Sequence, residues 1–232
     1  MTLFQETFEP RDIEYINEMH VACVLLLDTS RSMLSNDAIG KLNAGVKAFK
    51  EQTESDAAFD ERVRACIDIA IVSFGGTVCV EQDFAPVSHM STPELVADGG
   101  TPLGAAVNRG LDMIEEQKDK YKHVGTPYYR PWLFCITDGE PTDSWDGAAA
   151  RLQEMEERRK VLGYCVGVDG YNRDTMQSIF NQTRLFELKN LNFAALFEFL
   201  SNSLAAVPKS NEAQGTMSVS APSDLHPVEI SF

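Results

Sequence analysis

The sequence lacks any apolar run long enough to cross a membrane. Its longest, Val21 to Leu27, is far shorter than the roughly 20 residues that a spanning helix needs. The first residues, Met1 to Asn17, have no basic start followed by an apolar stretch, as a secretory signal would. We therefore expect a cytoplasmic protein with no membrane partner.

Basic residues are also scarce. The 232 residues include 20 Lys and Arg against 35 Asp and Glu, which gives a formal net charge of −15. Because phosphate backbones are bound by clustered Lys and Arg, this balance argues against a nucleic-acid partner. The hydrophobic fraction of 44% is ordinary for a globular protein, so the chain can fill the core of one large domain.

The five cysteines are odd in number and none forms a Cys-x-x-Cys pair. This pattern favours buried, reduced thiols over a disulfide framework or a zinc site. The sequence also lacks the glycine-rich phosphate-binding motifs and any recognisable Ser-His or Cys-His catalytic arrangement. The cysteines are Cys23, Cys66, Cys79, Cys135 and Cys165.

Strand-length apolar runs alternate with stretches of helical periodicity. This order predicts an α/β fold with a Rossmann-like, doubly wound, mostly parallel sheet and helices on both faces. The Gly75-Gly76 turn predicts that Thr77 to Gln82 is an antiparallel edge strand. The other predicted strands lie at Val21–Leu27, within Arg64–Phe74, and at Pro131–Thr137, Val161–Val168 and Thr183–Leu188. The first predicted helix is capped by Asn36 or Asp37 and ends at about Thr53. The other predicted helices lie near Leu103–Lys120, Asp146–Lys160, Arg173–Phe180 and Asn192–Ala206.

The pattern divides the chain into three parts. Residues 1–18 form an N-terminal segment, and residues 19–207 form the domain. Residues 208–232 are rich in Ser, Pro, Asn and Ala, which is typical of a tail, with a short strand possible at Pro227 to Phe232. We expect a monomer.

Short oxygen-bearing side chains occupy three loops at or near the ends of predicted strands. Asp28, Ser30 and Ser32 follow the first strand, Thr101 lies in a Gly-Gly-Thr-Pro-Leu loop, and Asp138 follows the strand at Pro131. Doubly wound sheets bind ligands at this edge. An all-oxygen donor set suits Mg²⁺, with Mn²⁺ also acceptable. Two carboxylates and three neutral hydroxyls would leave the cation able to accept another carboxylate.

Each of these residues also has a purely structural interpretation. Asp28 and Asp138 are typical turn or capping residues. Ser30 and Ser32 suit the cap of the following helix, and Thr101 suits an N-cap before a proline in the first helical turn. The joint occurrence of the three loops favours the metal hypothesis.

The segments "LLLDTSRSM", "GGTPLG" and "ITDGEPTD" together resemble the von Willebrand factor A domain and its metal-ion-dependent adhesion site. The resemblance covers about Val21 to Ala206 and extends to the bacterial branch associated with tellurium resistance. It implies a Rossmann-like sheet with one antiparallel edge strand and a Mg²⁺ ion held by the three loops. It also implies a partner protein that offers an acidic side chain to the metal, no catalysis, and a role in a bacterial stress response.

Two other functions stay open. An aspartate after a buried strand also begins the haloacid dehalogenase phosphatases, in which it is the nucleophile. Those enzymes need a second Asp two residues later, where this sequence has Ser30. The other alternative is a scaffold that has the same fold but binds no metal.

Overall fold

The computed structural model describes residues 15–168, 170–207 and 223–227. Its strands form one sheet in the order β3-β2-β1-β4-β5-β6-β7. The pairs β1–β2, β1–β4, β4–β5 and β5–β6 are parallel, whereas β2–β3 and β6–β7 are antiparallel. The strands are β1 (Val21–Asp28), β2 (Ile67–Gly75), β3 (Thr77–Pro86), β4 (Trp132–Thr137), β5 (Leu162–Gly167), β6 (Leu185–Leu188) and β7 (Leu225–Pro227).

Six α-helices are described, and they cover both faces of the sheet. They are α1 (Ala38–Ser55), α2 (Glu61–Ala65), α3 (Leu103–Val124), α4 (Asp146–Glu157), α5 (Arg173–Ile179) and α6 (Phe193–Ala206). A 3-10 helix at Arg31–Asp37 precedes α1, and shorter ones lie at Val87–His89 and Gln182–Arg184. In the ranges that the structure describes, no helix is both long enough and apolar enough to span a bilayer.

The sequence of the central strand β1 explains why helices pack on both faces of the sheet. Its eight residues are all buried, and six of the side chains alternate between two apolar clusters. Leu25 and Leu27 pack with α1 and α6, whereas Val24 and Leu26 pack with α3 and α4. A continuous apolar run is therefore what a parallel strand with helices on both faces requires.

The predicted fold class is confirmed, including the antiparallel edge strand, which continues to Pro86 instead of ending at Gln82. A second antiparallel edge strand, β7, lies within the predicted tail and pairs with β6. The short strand predicted from Pro227 onward lies mostly outside the described residues. The domain limits at residues 18 and 207 stay a prediction.

Two local predictions were wrong. Cys79 is exposed, because it lies on the edge strand β3, while the other four cysteines are buried. Helix α1 begins at Ala38 after Asp37, which adopts a left-handed backbone (φ 56°) and makes no capping hydrogen bond through its side chain. The sequence pattern identifies a capping residue type but not the backbone conformation that capping needs.

Two helical glycines differ in their surroundings, and this gives a stability test. A Cβ at Gly45 would lie 2.7 Å from Cδ2 of Phe197 in α6, whereas a Cβ at Gly147 meets nothing within 4 Å. We expect Gly45→Ala to lower the free energy of unfolding by about 1–3 kcal/mol through overpacking. The control, Gly147→Ala, should raise it by about 0.4–1 kcal/mol. Urea denaturation measures both, and stabilisation by Gly45→Ala would contradict the close packing of α1 on α6.

Candidate metal centre

The sheet order brings two of the predicted acidic residues together. Strand β1 lies between β2 and β4, and Leu27 is in register with Ile136 of β4. Asp28, the last residue of β1, is therefore next to the end of β4, which Asp138 follows directly. Both side chains lie at the carboxyl edge of the sheet, where parallel sheets place their ligand sites.

Asp28 is fully buried and both of its carboxylate oxygens accept hydrogen bonds. The Ser30 backbone N–H donates to Oδ1 at 2.7 Å, and the Thr137 hydroxyl donates to Oδ2 at 2.5 Å. The first bond closes the turn that directs Ser30 and Ser32 into the site. The second ties the end of β1 to the end of β4.

A chain of hydroxyls links the first loop to Asp138. The Ser32 hydroxyl donates to Oδ1 of Asp138 at 2.7 Å and lies 2.9 Å from the Ser30 hydroxyl. The three groups thus form a connected network in which either serine hydroxyl can be the donor of the Ser30–Ser32 bond. Ser30 and Asp138 are buried, whereas Ser32 is exposed and forms the solvent side of the cluster.

Thr101 joins the cluster from the second loop. A Cβ at Gly139 would lie 2.8 Å from Oγ1 of Thr101 and 3.6 Å from Oδ2 of Asp28, so both oxygens border the space over this glycine. Thr142 fixes the loop, because its hydroxyl accepts the Thr101 N–H at 3.0 Å and its own N–H donates to the Thr101 carbonyl at 2.9 Å. Thr101 is buried.

Close backbone contacts hold the first and second loops together. The Arg31 N–H donates to the Gly99 carbonyl at 3.0 Å, and the Asp98 N–H donates to the Thr29 carbonyl at 2.8 Å. Gly99 has φ +69°, and a Cβ there would lie 2.5 Å from the Cα of Gly76. Only glycine satisfies both the left-handed backbone and this approach.

The electrostatics of the site favour a cation. Burial, with a smaller contribution from the nearby Asp138 carboxylate, raises the pKa of Asp28 to about 6, against the hydrogen bonds from Ser30 and Thr137 that lower it. Burial also raises the pKa of Asp138. Within the described ranges, no Lys, Arg or His side chain forms an ion pair with either carboxylate. A hard divalent cation fits two such carboxylates beside neutral hydroxyl oxygens.

The structure thus brings all five predicted residues to one place: Asp28, Ser30, Ser32, Thr101 and Asp138. In the described part of the chain, no group of three or more His, Cys, Asp or Glu side chains is arranged to hold a metal ion. Any metal chemistry at this site therefore depends on the hydroxyl oxygens as well as on the two carboxylates.

Sequence reasoning missed the side chains that support the site. Thr137 lies beside Asp28 because of the register of β1 with β4, which the sequence pattern does not reveal. The sequence carried no signal for the contacts of Asp143 either. Its two oxygens accept the N–H groups of Gly104 and Ala105 at 3.0 and 2.8 Å and so cap α3 from a distant loop. Pro102, predicted in the first turn, is instead the residue before α3.

The Asp143 cap gives a direct test. We expect Asp143→Ala to lower the free energy of unfolding by about 1–2 kcal/mol, because two N–H groups at the start of α3 lose their acceptor. Asp143→Asn keeps one acceptor oxygen and should lose less. Chemical denaturation measures the difference, and equal stability of all three proteins would show that this contact is not formed.

Metal-free Asp28→Asn protein should be more stable than the wild type at pH 8. The raised pKa means that folded Asp28 holds its proton to higher pH than the unfolded chain does, so stability falls as pH rises from about 4 to about 6. Asparagine removes this cost while its amide still pairs with Ser30 and Thr137. We expect a gain of about 1–3 kcal/mol in chelator at pH 8 and none near pH 4, measured by denaturation at both pH values. A loss of stability at pH 8 would contradict the electrostatic account.

No protein-family model and no curated protein sequence matches the chain. Solved structures do match. The pilus adhesin SpaC from Lactobacillus rhamnosus GG superposes with a TM-score of 0.63 at 15% identity over 82% of this chain and 31% of its own. The vWF domain of the type V pili tip protein Mfa5 from Porphyromonas gingivalis gives 0.57 at 10% identity, over 84% of this chain and 98% of its own.

A third similar structure is proximal thread matrix protein 1 from the mussel byssus, described with a zinc-occupied MIDAS motif. Its TM-score is 0.53 at 14% identity, over 83% of this chain and 46% of its own. The chain thus spans less than half the length of this protein and about a third of SpaC. At such identities the likeness concerns the fold alone, and the chain has the von Willebrand factor A fold.

Proposed function

We propose that the protein is a metal-dependent protein-interaction module that binds an acidic side chain of its partner through a divalent cation, and that it catalyses no reaction. The observation that carries this proposal is the single cluster of two buried carboxylates and three hydroxyls at the carboxyl edge of the sheet. The zinc-occupied MIDAS described for the mussel protein supports a divalent metal on this fold.

The five residues have separable roles in this proposal. Asp28 and Asp138 supply the negative charge that retains the cation, directly or through water. Ser30, Ser32 and Thr101 supply neutral oxygens. When bound, Mg²⁺ or Mn²⁺ would offer a Lewis-acidic position to an incoming oxygen ligand. Because two carboxylates only balance the charge of the dication, a third carboxylate from outside can still be attracted.

Exposure decides the side from which that carboxylate arrives. Asp28, Ser30, Thr101 and Asp138 are buried, whereas Ser32 is exposed. A side chain of a partner therefore reaches the cluster from the solvent side, past Ser32. Because Asp28 and Asp138 are buried, their interaction with a cation is stronger than it would be in water.

The phosphatase alternative is disfavoured by the surroundings of Asp28. Asp28 is fully buried, and Ser30 occupies the position at which these phosphatases need a second aspartate. The metal-free scaffold alternative leaves two neighbouring buried carboxylates without a positively charged partner among the described residues. Their raised pKa values mean that the two charged groups destabilise the folded protein. A purely structural module would gain nothing from keeping them.

We further propose that the metal is Mg²⁺, which the all-oxygen donor set favours, and that the protein is a cytoplasmic monomer. A role in bacterial stress or tellurium resistance depends on the motif resemblance alone.

Calorimetric titration of chelator-treated protein with Mg²⁺ and Mn²⁺ tests the metal site. We expect saturable binding to the wild type, and binding more than about tenfold weaker to Asp28→Asn and Asp138→Asn. The matched control is Asp98→Asn, which removes an exposed carboxylate paired with Arg31 beside the site and should leave metal affinity unchanged. At 100 times its dissociation constant, the metal should add about 2.7 kcal/mol to the wild-type stability.

Absence of binding by folded wild-type protein, or equal loss in Asp98→Asn, would contradict the proposed site. The interaction itself is then measured with a peptide that contains a single aspartate. Its affinity should fall when chelator replaces Mg²⁺, and it should also fall in Asp28→Asn.

A further inference from the structure

A cavity of about 230 Å³ opens beside the first metal loop. Its walls come from the end of β2, from the edge strand β3 and from the segment before the second loop. Thr29 is part of the wall and lies in the chain between Asp28 and Ser30. Because consecutive Cα atoms are about 3.8 Å apart, this wall residue is the immediate neighbour of two residues of the cluster.

The wall next to the metal loop is tightly built. A Cβ at Gly75 would lie 2.1 Å from the Thr29 carbonyl oxygen, so β2 passes against this residue without any side chain between them. The Thr29 N–H donates to the Phe74 carbonyl at 3.0 Å, and its carbonyl accepts the Asp98 N–H at 2.8 Å. The cavity and the first metal loop therefore keep a fixed relation to each other.

The cavity has a negative lining without a positive partner. Glu81 and Glu94 line it, and no Lys, Arg or His is among its lining residues. Neither glutamate forms an ion pair within the described residues. Both glutamates are exposed, and the hydroxyl of the buried Ser73 donates to Oε1 of Glu81 at 2.5 Å, which fixes that oxygen at the cavity wall. The exposed side chain of Val96 adds apolar surface.

We propose that this cavity receives a lysine or arginine side chain of the same partner whose carboxylate binds at the metal centre. The inference rests on the proposed function. A Lys or Arg stem is aliphatic and suits the exposed Val96, while its charged end suits Glu81 and Glu94. The partner would then present an acidic and a basic residue close together, one for each site.

A second metal ion explains the cavity less well. The described residues hold no group of three His, Cys, Asp or Glu side chains placed for a metal, although Cys79, Glu81 and Glu94 all line this cavity. Two carboxylates without an ion-pair partner among the described residues suit a long side chain with several hydrogen-bond donors. Arginine, with five N–H donors on a planar group, fits this description.

Short synthetic peptides test the inference with the full chain in Mg²⁺. One series carries an aspartate and an arginine separated by zero to three glycines, in both orders. A second series has glutamine in place of the arginine, and a third has serine in place of the aspartate. Fluorescence anisotropy gives the dissociation constants. We expect at least one arginine peptide to bind roughly three- to tenfold more tightly than its glutamine counterpart, as partly exposed charge pairs do.

The double variant Glu81→Gln/Glu94→Gln should abolish that advantage and leave the affinity of the glutamine peptides unchanged. The matched control, Glu61→Gln/Glu157→Gln, removes two exposed glutamates that lie in α2 and at the end of α4. It changes the net charge equally and should keep the advantage. Equal affinity of arginine and glutamine peptides at every spacing would overturn the inference. An arginine advantage that survives the cavity variant would also overturn it.

Replacing Mg²⁺ with chelator separates this inference from the proposed function. If the aspartate–glutamine peptides bind equally in chelator, the metal-dependent function fails. The arginine–serine peptides then decide the cavity alone, since their binding must still weaken in Glu81→Gln/Glu94→Gln. If no peptide of any series binds, both proposals are overturned.

Discussion

The site depends on keeping two like-charged carboxylates, Asp28 and Asp138, buried at the ends of adjacent strands. Such a pair is costly, and the structure offsets the cost only with neutral donors: the Ser30 N–H and the hydroxyls of Thr137 and Ser32. These donors orient the oxygens but add no positive charge. Burying these two negative charges therefore destabilises the folded protein at this point, and a cation that binds there relieves the repulsion.

The surrounding structure keeps the two carboxylates close together. Strand β1 lies in the middle of the sheet with helices on both faces, so Asp28 cannot move outward without disturbing two apolar clusters. The loops reach it through glycines, and at Gly99 and Gly75 the backbones approach too closely for a Cβ. Stability in the core is thus what allows an unfavourable arrangement at the edge, as is common at functional sites.

Sequence reasoning worked best where one strong physical rule decided the outcome. The apolar run Val21 to Leu27 could hardly be anything but a buried strand, and Asp28 then had to lie at its carboxyl end. It worked less well where the outcome depended on register or on distant loops. Thr137 is defined as the partner of Asp28 only by the pairing of β4 with β1, and Asp143 caps a helix about 40 residues away in the sequence. Cys79 lies in an apolar run but on an edge strand, so its exposure follows from strand order and not from composition.

The net charge of −15 repels an acidic partner at long range. This repulsion becomes weaker with distance, because charges separated by more than about 8 Å are largely screened at physiological salt. At short range, a bound dication cancels Asp28 and Asp138, so the incoming carboxylate meets a locally neutral or positive centre. The repulsion that remains comes from carboxylates close to the site, such as Asp98 beside the first loop, and it acts against a partner that is acidic throughout. Specificity is a difference of affinities, so the same repulsion favours a partner whose single carboxylate is accompanied by positive charge. The acidic character of the chain and its proposed preference for an acidic ligand are therefore compatible, and together they define a narrower class of partner than either does alone.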